Sequence, residues 1–118
     1  MKKLEIGVGG VREAAAEFLD TAKAIRKRQP VRVRERLLFA DMPTLLKNLT
    51  AERWRLVEAV RQKGPLSINA AARLLRRNYK NVHGDVKRLV ELGLIDKQED
   101  GRMRMPYRTI VAQLEMAA

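Results

Sequence analysis

The stretch from Ser67 to Gly93 reads SINAAARLLRRNYKNVHGDVKRLVELG and holds two helix patterns on either side of a polar connection at 76–78. Ser67 can cap the first helix, whose buried stripe is predicted to be Ile68, Ala71, Ala72 and Leu75. The second helix is predicted to continue to about residue 92, with Gly93 as its C-terminal cap and an inward face of Val82, Val86 and Leu89. The small alanines of the stripe allow the two helices to cross closely, which leaves the other face of the second helix free.

The segment before this pair predicts one more helix. Thr50 can cap it, and Gly64-Pro65 stops it after about Lys63. Its inward face is expected to be Leu56, Val57 and Val60.

The segment after the pair predicts a β-hairpin. Residues 94–98 and 102–106 flank a turn centred on Asp100-Gly101, which is a strong hairpin signal. Residues 107–116 are expected to form a last strand, although their apolar spacing would also suit a helix. Three helices followed by a hairpin are the layout of a winged helix-turn-helix, so 50–118 is predicted to be such a domain.

Residues 1–49 are predicted to form a β-α-β-α segment. Lys2 to Val8 alternates as a strand, Val11 to Lys27 has the spacing of a helix, and Val31 to Ala40 returns as a strand. A short helix is expected after Asp41, with Pro43 near its start. The segment is small for a separate domain, so we expect a dimerisation or partner-binding role. The predicted fold class is therefore α+β, a winged helix-turn-helix with a small N-terminal β-α-β-α segment.

Positive charge is concentrated in two blocks of the chain. The 118 residues carry a net charge of +11, from 25 basic and 14 acidic residues. Seven basic residues and one acid lie between Lys23 and Arg36, and six basic residues and one acid lie between Arg73 and Arg88. Concentrated blocks of this kind favour a polyanionic partner; the alternative is that each block is a solvated helix face.

Composition also excludes several classes of site. The chain has no cysteine and a single histidine, so disulfides, thiolate metal sites and a histidine-based triad are not expected. Gly7-Val8-Gly9-Gly10 lacks the spacing and the lysine of a phosphate-binding loop. No apolar run approaches the roughly 20 residues of a membrane span. We expect a cytoplasmic protein without enzymatic activity, cofactor or metal.

The start of the helix after the polar connection carries side chains suited to reading DNA. Asn81 can make paired hydrogen bonds to an adenine edge, and Arg77 or Lys80 can reach guanine or phosphate. Together with cations of the hairpin, the predicted DNA-binding residues are Arg76, Arg77, Asn78, Tyr79, Lys80, Asn81, His83, Gly84, Lys87, Arg102 and Arg104.

Three residues of this helix leave alternatives open. Gly84 costs the helix about 1 kcal/mol relative to alanine, which either close approach to DNA or tight helix packing would explain. Asp85 would repel phosphate, so it is expected to pair sideways with Arg88 or with Arg73. His83 is expected to face DNA or solvent, with a packing role as the alternative.

The hairpin gives an independent expectation. If Asp100-Gly101 occupies the turn, Glu99 faces Arg102 and Lys97 faces Arg104 across the two strands. Like charges opposite one another destabilise a ribbon, and a nearby phosphate would relieve the repulsion. The alternative is that both long side chains extend into water.

Five runs between residues 49 and 116 carry a resemblance to a known family. They are Leu49-Thr50, Gly64-Pro65-Leu66-Ser67, RNYKNVHGDV at 77–86, LVELGLI at 89–95 and GRMRMP at 101–106. They resemble prokaryotic MarR-like winged-helix DNA-binding proteins, many of which are thought to be antitoxins or autoregulators. The resemblance implies that Tyr79 to Leu92 is the recognition helix and that binding is dimeric. Gly84 departs from it, because a longer polar residue, often arginine, is expected there.

These observations predict a transcriptional regulator, in the first instance an autorepressor. It would bind double-stranded DNA as a homodimer, with half-sites about 34 Å apart. A more specific form of this hypothesis is that the protein is the antitoxin of a toxin–antitoxin pair and has a cognate toxin as partner. The alternative is a winged-helix module for protein contacts in a larger assembly. RNA is less favoured, since the five aromatic residues are scattered.

Overall fold

The structure is a computed structural model with an α+β fold, and it describes residues 2–10, 12, 30–33 and 35–114. The chain divides into two compact units. Unit 1 consists of residues 1–48 and 107–118, and unit 2 consists of residues 49–106. No helix among the described residues has the length and apolar character needed to cross a membrane.

The described residues form six strands and four helices. The strands are β1 (Lys3–Val8), β2 (Val31–Val33), β3 (Arg36–Phe39), β4 (Asp96–Lys97), β5 (Met103–Arg104) and β6 (Thr109–Gln113). The helices are α1 (Met42–Asn48), α2 (Ala51–Lys63), α3 (Ile68–Leu75) and α4 (Tyr79–Glu91).

Unit 1 is built on a four-stranded sheet in the order β2-β3-β1-β6. β1 pairs in parallel with β3 and β6, and β2 pairs antiparallel with β3. Leu4, Ile6, Leu37 and Phe39 are almost completely buried, so the period-two alternation of β1 places its apolar residues in the core. α1 begins after Asp41, whose Oδ1 accepts a hydrogen bond from the backbone N–H of Thr44 at 2.8 Å.

Two features of unit 1 correct the sequence-based prediction. The single strand expected over 31–40 is two strands, because the chain reverses near Glu35 and pairs Val31 with Leu38. The last strand is confirmed as β6, but it pairs with β1 of unit 1 and does not belong to unit 2. The domain predicted over 50–118 was therefore too long at its C-terminal end. The helix predicted over 11–27 lies outside the described residues, apart from Arg12.

Unit 2 contains the three predicted helices, each beginning after a capping residue. Thr50 Oγ1 accepts a hydrogen bond from the Arg53 N–H at 3.2 Å, and Ser67 Oγ accepts one from the Ala70 N–H at 3.0 Å. The predicted inward residues are buried, with the exception of the half-buried Leu75: Leu56, Val57, Val60, Ile68, Ala71, Ala72, Val82, Val86 and Leu89. Their burial confirms the three apolar stripes.

The end of α4 is also as predicted. Gly93 has a φ of 78°, a left-handed conformation that glycine adopts without a Cβ clash. Its N–H donates to the Val90 carbonyl, and the Leu94 N–H donates to the Leu89 carbonyl, both at 3.0 Å. These two bonds form a Schellman cap, and the buried side chains of Leu89 and Leu94 accompany it.

The hairpin of unit 2, formed by β4 and β5, has a longer loop than predicted. The Gly101 N–H donates to the Gln98 carbonyl at 2.9 Å, and the Gln98 N–H donates to the Arg102 carbonyl at 2.8 Å. The loop is therefore Glu99-Asp100-Gly101, with Gly101 at a φ of 85°. The additional loop residue shifts the register, so that Asp96 pairs with Arg104 and Lys97 with Met103. The predicted pairing of Lys97 with Arg104 was wrong.

The hairpin is also attached at its base to the link between α2 and α3. Leu66 and Met103 exchange two backbone hydrogen bonds, at 3.0 and 2.6 Å. Met103 is completely buried, so its side chain belongs to the core of unit 2. These contacts hold β5 on both sides, by β4 and by the α2–α3 link.

Candidate nucleic-acid interface

The start of α4 is organised by Asn78, the capping residue of the helix. Its Oδ1 accepts hydrogen bonds from the N–H of Lys80 at 2.8 Å and of Asn81 at 3.4 Å. These bonds satisfy two N–H groups that lack a partner within the helix. The side-chain amide oxygen of Asn78 thus holds the first turn together, and its predicted contact with DNA stays a prediction.

The residues that follow Asn78 form an exposed surface, here called the α4 face. It consists of Tyr79, Lys80, Asn81, His83, Gly84 and Lys87, all of which are exposed as predicted. The Tyr79 and His83 rings lie 6.0 Å apart, in a tilted arrangement one helical turn from each other. Since His83 is exposed, the alternative in which it packs into the core was wrong.

Gly84 lies at the centre of the α4 face. A Cβ placed on Gly84 would meet no atom of the protein within 4 Å. The alternative explanation for this glycine, tight packing against another helix, is therefore excluded for the described residues. What remains is an open stretch of helix backbone between Lys80 and Lys87, where a second molecule can approach closely.

Asp85 points away from the α4 face and is neutralised by two arginines. Its Oδ1 lies 3.0 Å from Arg53 Nε on α2, and its Oδ2 lies 2.8 Å from Arg77 Nη2. The predicted partners, Arg88 and Arg73, were wrong; Arg88 pairs with Glu91 at 3.1 Å instead. The physical reason is that Asp85 occupies the side of α4 that contacts the start of α2.

Arg77 is consequently a structural residue and not a free cation. Its side chain is 18% exposed, and its Nε also lies 3.3 Å from Glu52 Oε2 on α2. Two carboxylates therefore hold this guanidinium against α2 and α4, and its predicted contact with DNA stays a prediction. Together with Arg55, which lies 2.7 Å from Glu52 Oε1, the residues Arg53, Asp85, Arg77 and Glu52 form one continuous ion-pair network between α2 and α4.

Arg76 ends α3 in an unusual backbone conformation. Its φ of 53° and ψ of 48° are left-handed values that a non-glycine residue rarely adopts. The side chain is exposed and lines a cleft of about 440 Å³ between α3 and α4, here called the α3–α4 cleft. Its lining residues are Asn69, Ala72, Arg73, Arg76, Arg77 and Tyr79. Asn69 and Arg73 were not among the predicted contacts, although Arg73 lies one turn before Arg76.

Two of the three hairpin cations, Arg102 and Arg104, are compensated within the hairpin. Arg102 Nε lies 2.8 Å from Asp100 Oδ2, and Arg104 Nη2 lies 3.3 Å from Asp96 Oδ2. The backbone N–H of Arg102 donates to Asp100 and, with the guanidinium, lowers the pKa of that carboxyl below its usual value. The predicted like-charge repulsion across the strands is therefore absent from the described hairpin, since an acid faces Arg104.

The cations of the α4 face have no such compensation. Among the described residues, no carboxylate lies within ion-pair distance of Lys80 or Lys87, nor of Arg73 or Arg76 in the neighbouring cleft. The exposed cations and the exposed amide of Asn81 can hold a polyanion and donate hydrogen bonds to it, and the open backbone at Gly84 leaves room for close approach.

Comparison with known proteins places the chain in one family. The family model HVO_A0114 matches residues 48–112, which include the whole of unit 2. No curated protein and no solved structure matches the chain. The match covers more than half of the 118 residues. The chain therefore belongs to the HVO_A0114 family.

Proposed function

We propose that unit 2 is a winged helix-turn-helix that binds double-stranded DNA and that the protein regulates transcription. The observation that carries the proposal is the α4 face, which is exposed, cationic and free of carboxylates among the described residues. The acid that would repel phosphate, Asp85, is turned toward α2 and neutralised. In this arrangement the helix offers DNA a surface without an opposing charge.

The dimensions of α4 suit the major groove. Its 13 residues rise about 20 Å along the axis, and the groove is about 12 Å wide. In this placement Asn81 reads an adenine edge with its amide, while the adjacent Lys80 and, about two turns further along, Lys87 contact guanine or phosphate. Gly84 lets the backbone between the lysines lie close to the base pairs.

We further propose that the protein binds as a homodimer on an inverted repeat and acts as a repressor. The outer edge of β6 supports a dimer through unit 1, because Thr109–Gln113 contains no charge and no proline. Val111 on this strand is 41% exposed. Uncharged edge strands pair readily with another strand, and self-pairing of β6 would oppose no like charges. The antitoxin version stays a prediction, and a toxin without measurable affinity for the purified protein would contradict it.

Selection of bound duplexes from a random pool tests the proposed function. The wild-type protein is expected to enrich one inverted repeat and to bind it with two chains per duplex. Asn81→Ala should lose the preference at one position of each half-site, by about 1–3 kcal/mol, because the paired hydrogen bonds to one base disappear. Lys80→Ala should weaken binding more evenly across sequences.

Gln62→Ala is the matched control, since it removes an exposed amide from α2, outside the α4 face. Its selected sequences should be those of the wild type. A wild-type protein that enriches no sequence would contradict the proposed function and favour the protein-contact module. If Asn81→Ala selects the same sequences as the wild type, the base contacts must come from a surface other than α4.

A further inference from the structure

We propose that the α3–α4 cleft binds a phosphodiester of the DNA backbone. This proposal rests on the proposed function. The cleft lies outside the α4 face and shares only Tyr79 with it. The cleft has a volume of about 440 Å³ and joins the end of α3 to the start of α4. A phosphate bound there would fix the position of the duplex relative to α4 without reading any base.

The charge of the cleft is the first support. Arg73 and Arg76 are exposed, and no carboxylate lies within ion-pair distance of either among the described residues. The third arginine of the lining, Arg77, is held in ion pairs with Asp85 and Glu52. The cleft therefore carries two uncompensated guanidinium groups, and a guanidinium can donate two parallel hydrogen bonds to one phosphate.

The neutral residues of the lining have the complementary chemistry. Asn69 is exposed on α3, and its amide can donate to a phosphate oxygen. Tyr79 is 48% exposed and can donate its hydroxyl hydrogen. Ala72, which is 6% exposed, also lines the cleft and contributes only a methyl group. A phosphodiester presents acceptors only, so a lining of donors matches it.

The backbone of Arg76 is an independent support. Its left-handed conformation closes α3 with two hydrogen bonds: the Arg76 N–H donates to the Arg73 carbonyl at 3.2 Å, and the Arg77 N–H donates to the Ala72 carbonyl at 2.9 Å. Glycine occupies this position with the least strain. An arginine there costs stability, and strain of this kind concentrates at functional sites. Here it directs a long cation into the cleft.

The experiment measures the affinity of the full chain for DNA as a function of salt. Arg73→Gln and Arg76→Gln are compared with the wild type on the selected duplex and on an unrelated duplex. Loss of one phosphate contact should reduce the slope of log K against log salt by about 0.9, equally on both duplexes. Arg61→Gln, which removes an exposed cation from α2, is the control and should leave the slope unchanged.

Arg76→Gly separates binding from folding. The glycine relieves the left-handed strain, so the melting temperature should rise while the affinity for DNA falls about as much as in Arg76→Gln. If both glutamine variants keep the wild-type slope of log K against log salt, the proposed phosphate site in the cleft is wrong. The proposed function would still stand, provided that the wild type binds its selected duplex. A wild-type protein that binds no duplex would overturn both.

Discussion

Helix α4 and the β4–β5 hairpin each carry three basic residues but differ in how these charges are compensated. On α4 they are Lys80, Lys87 and Arg88, and in the hairpin they are Lys97, Arg102 and Arg104. In the hairpin, two arginines form exposed ion pairs with acids of the same hairpin: Arg102 with Asp100 at 2.8 Å and Arg104 with Asp96 at 3.3 Å. On α4 only Arg88 is paired within the helix, with Glu91, because the acid near the centre, Asp85, is paired with arginines outside that helix.

This difference shows that a count of charges does not identify a binding surface. Residues 96–104 contain three acids and three bases and are neutral as a unit. The α4 face is cationic because Asp85 is held on the opposite side by Arg53 and Arg77. The ion-pair network between α2 and α4 therefore both positions the helix and removes its negative charge from the exposed surface.

The largest effect is expected when the network loses Asp85. Asp85→Ala leaves Arg53 and Arg77, which are 22% and 18% exposed, without their shared carboxylate. Removing one partner of a buried pair costs about 3–5 kcal/mol. Because these side chains retain some solvent, we expect the free energy of unfolding to fall by about 3 kcal/mol, at the lower end of that range. Urea unfolding measures the change.

Asp96→Ala is the matched control, since it removes an acid from the exposed pair with Arg104. Exposed pairs contribute about 0–1 kcal/mol, so its unfolding midpoint should stay close to the wild-type value. If Asp85→Ala and Asp96→Ala lost the same free energy of unfolding, the α2–α4 network would contribute no more to stability than the exposed hairpin pairs.

The sequence predicted best the features that depend on residues close together in the chain. The caps at Thr50 and Ser67 each act over three residues, and the Gly93 cap acts within one helix end. The buried stripes of α2, α3 and α4 follow from helical periodicity alone. Most of unit 2 could therefore be predicted, as could the exposure of the α4 face.

The features that the sequence did not predict depend on residues far apart. Asp85 finds Arg53, 32 positions earlier, because α2 packs beside α4, and no local pattern indicates that contact. One additional loop residue decides the hairpin register, and two loop lengths were compatible with the same Asp100-Gly101 signal. The place of β6 in unit 1 depends on the free edge of β1, more than 100 residues away in sequence.

A smaller effect is expected on the α4 face, at Gly84. Gly84→Ala should stabilise the protein by about 1 kcal/mol, because the added methyl group meets no atom of the described chain. Affinity for the selected duplex should nevertheless fall, since the methyl group would occupy space that the proposed complex gives to DNA. Thermal unfolding and DNA titration measure the two changes. A variant that is stabilised and binds as the wild type does would show that no close approach occurs at Gly84.

The smallest effect is expected in the hairpin, from a double variant that keeps its net charge. Asp100→Asn with Arg102→Gln removes both members of the 2.8 Å pair at once. Because the pair is exposed and neutral as a unit, stability and DNA affinity should both stay close to the wild-type values. Arg102→Gln alone should weaken binding more, because it leaves Asp100 as an uncompensated negative charge.

If the double variant instead lost affinity and flattened the salt dependence, Arg102 would have to leave Asp100 for a phosphate in the complex. The hairpin would then be a second cationic surface, and its difference from α4 would exist only in the unbound protein.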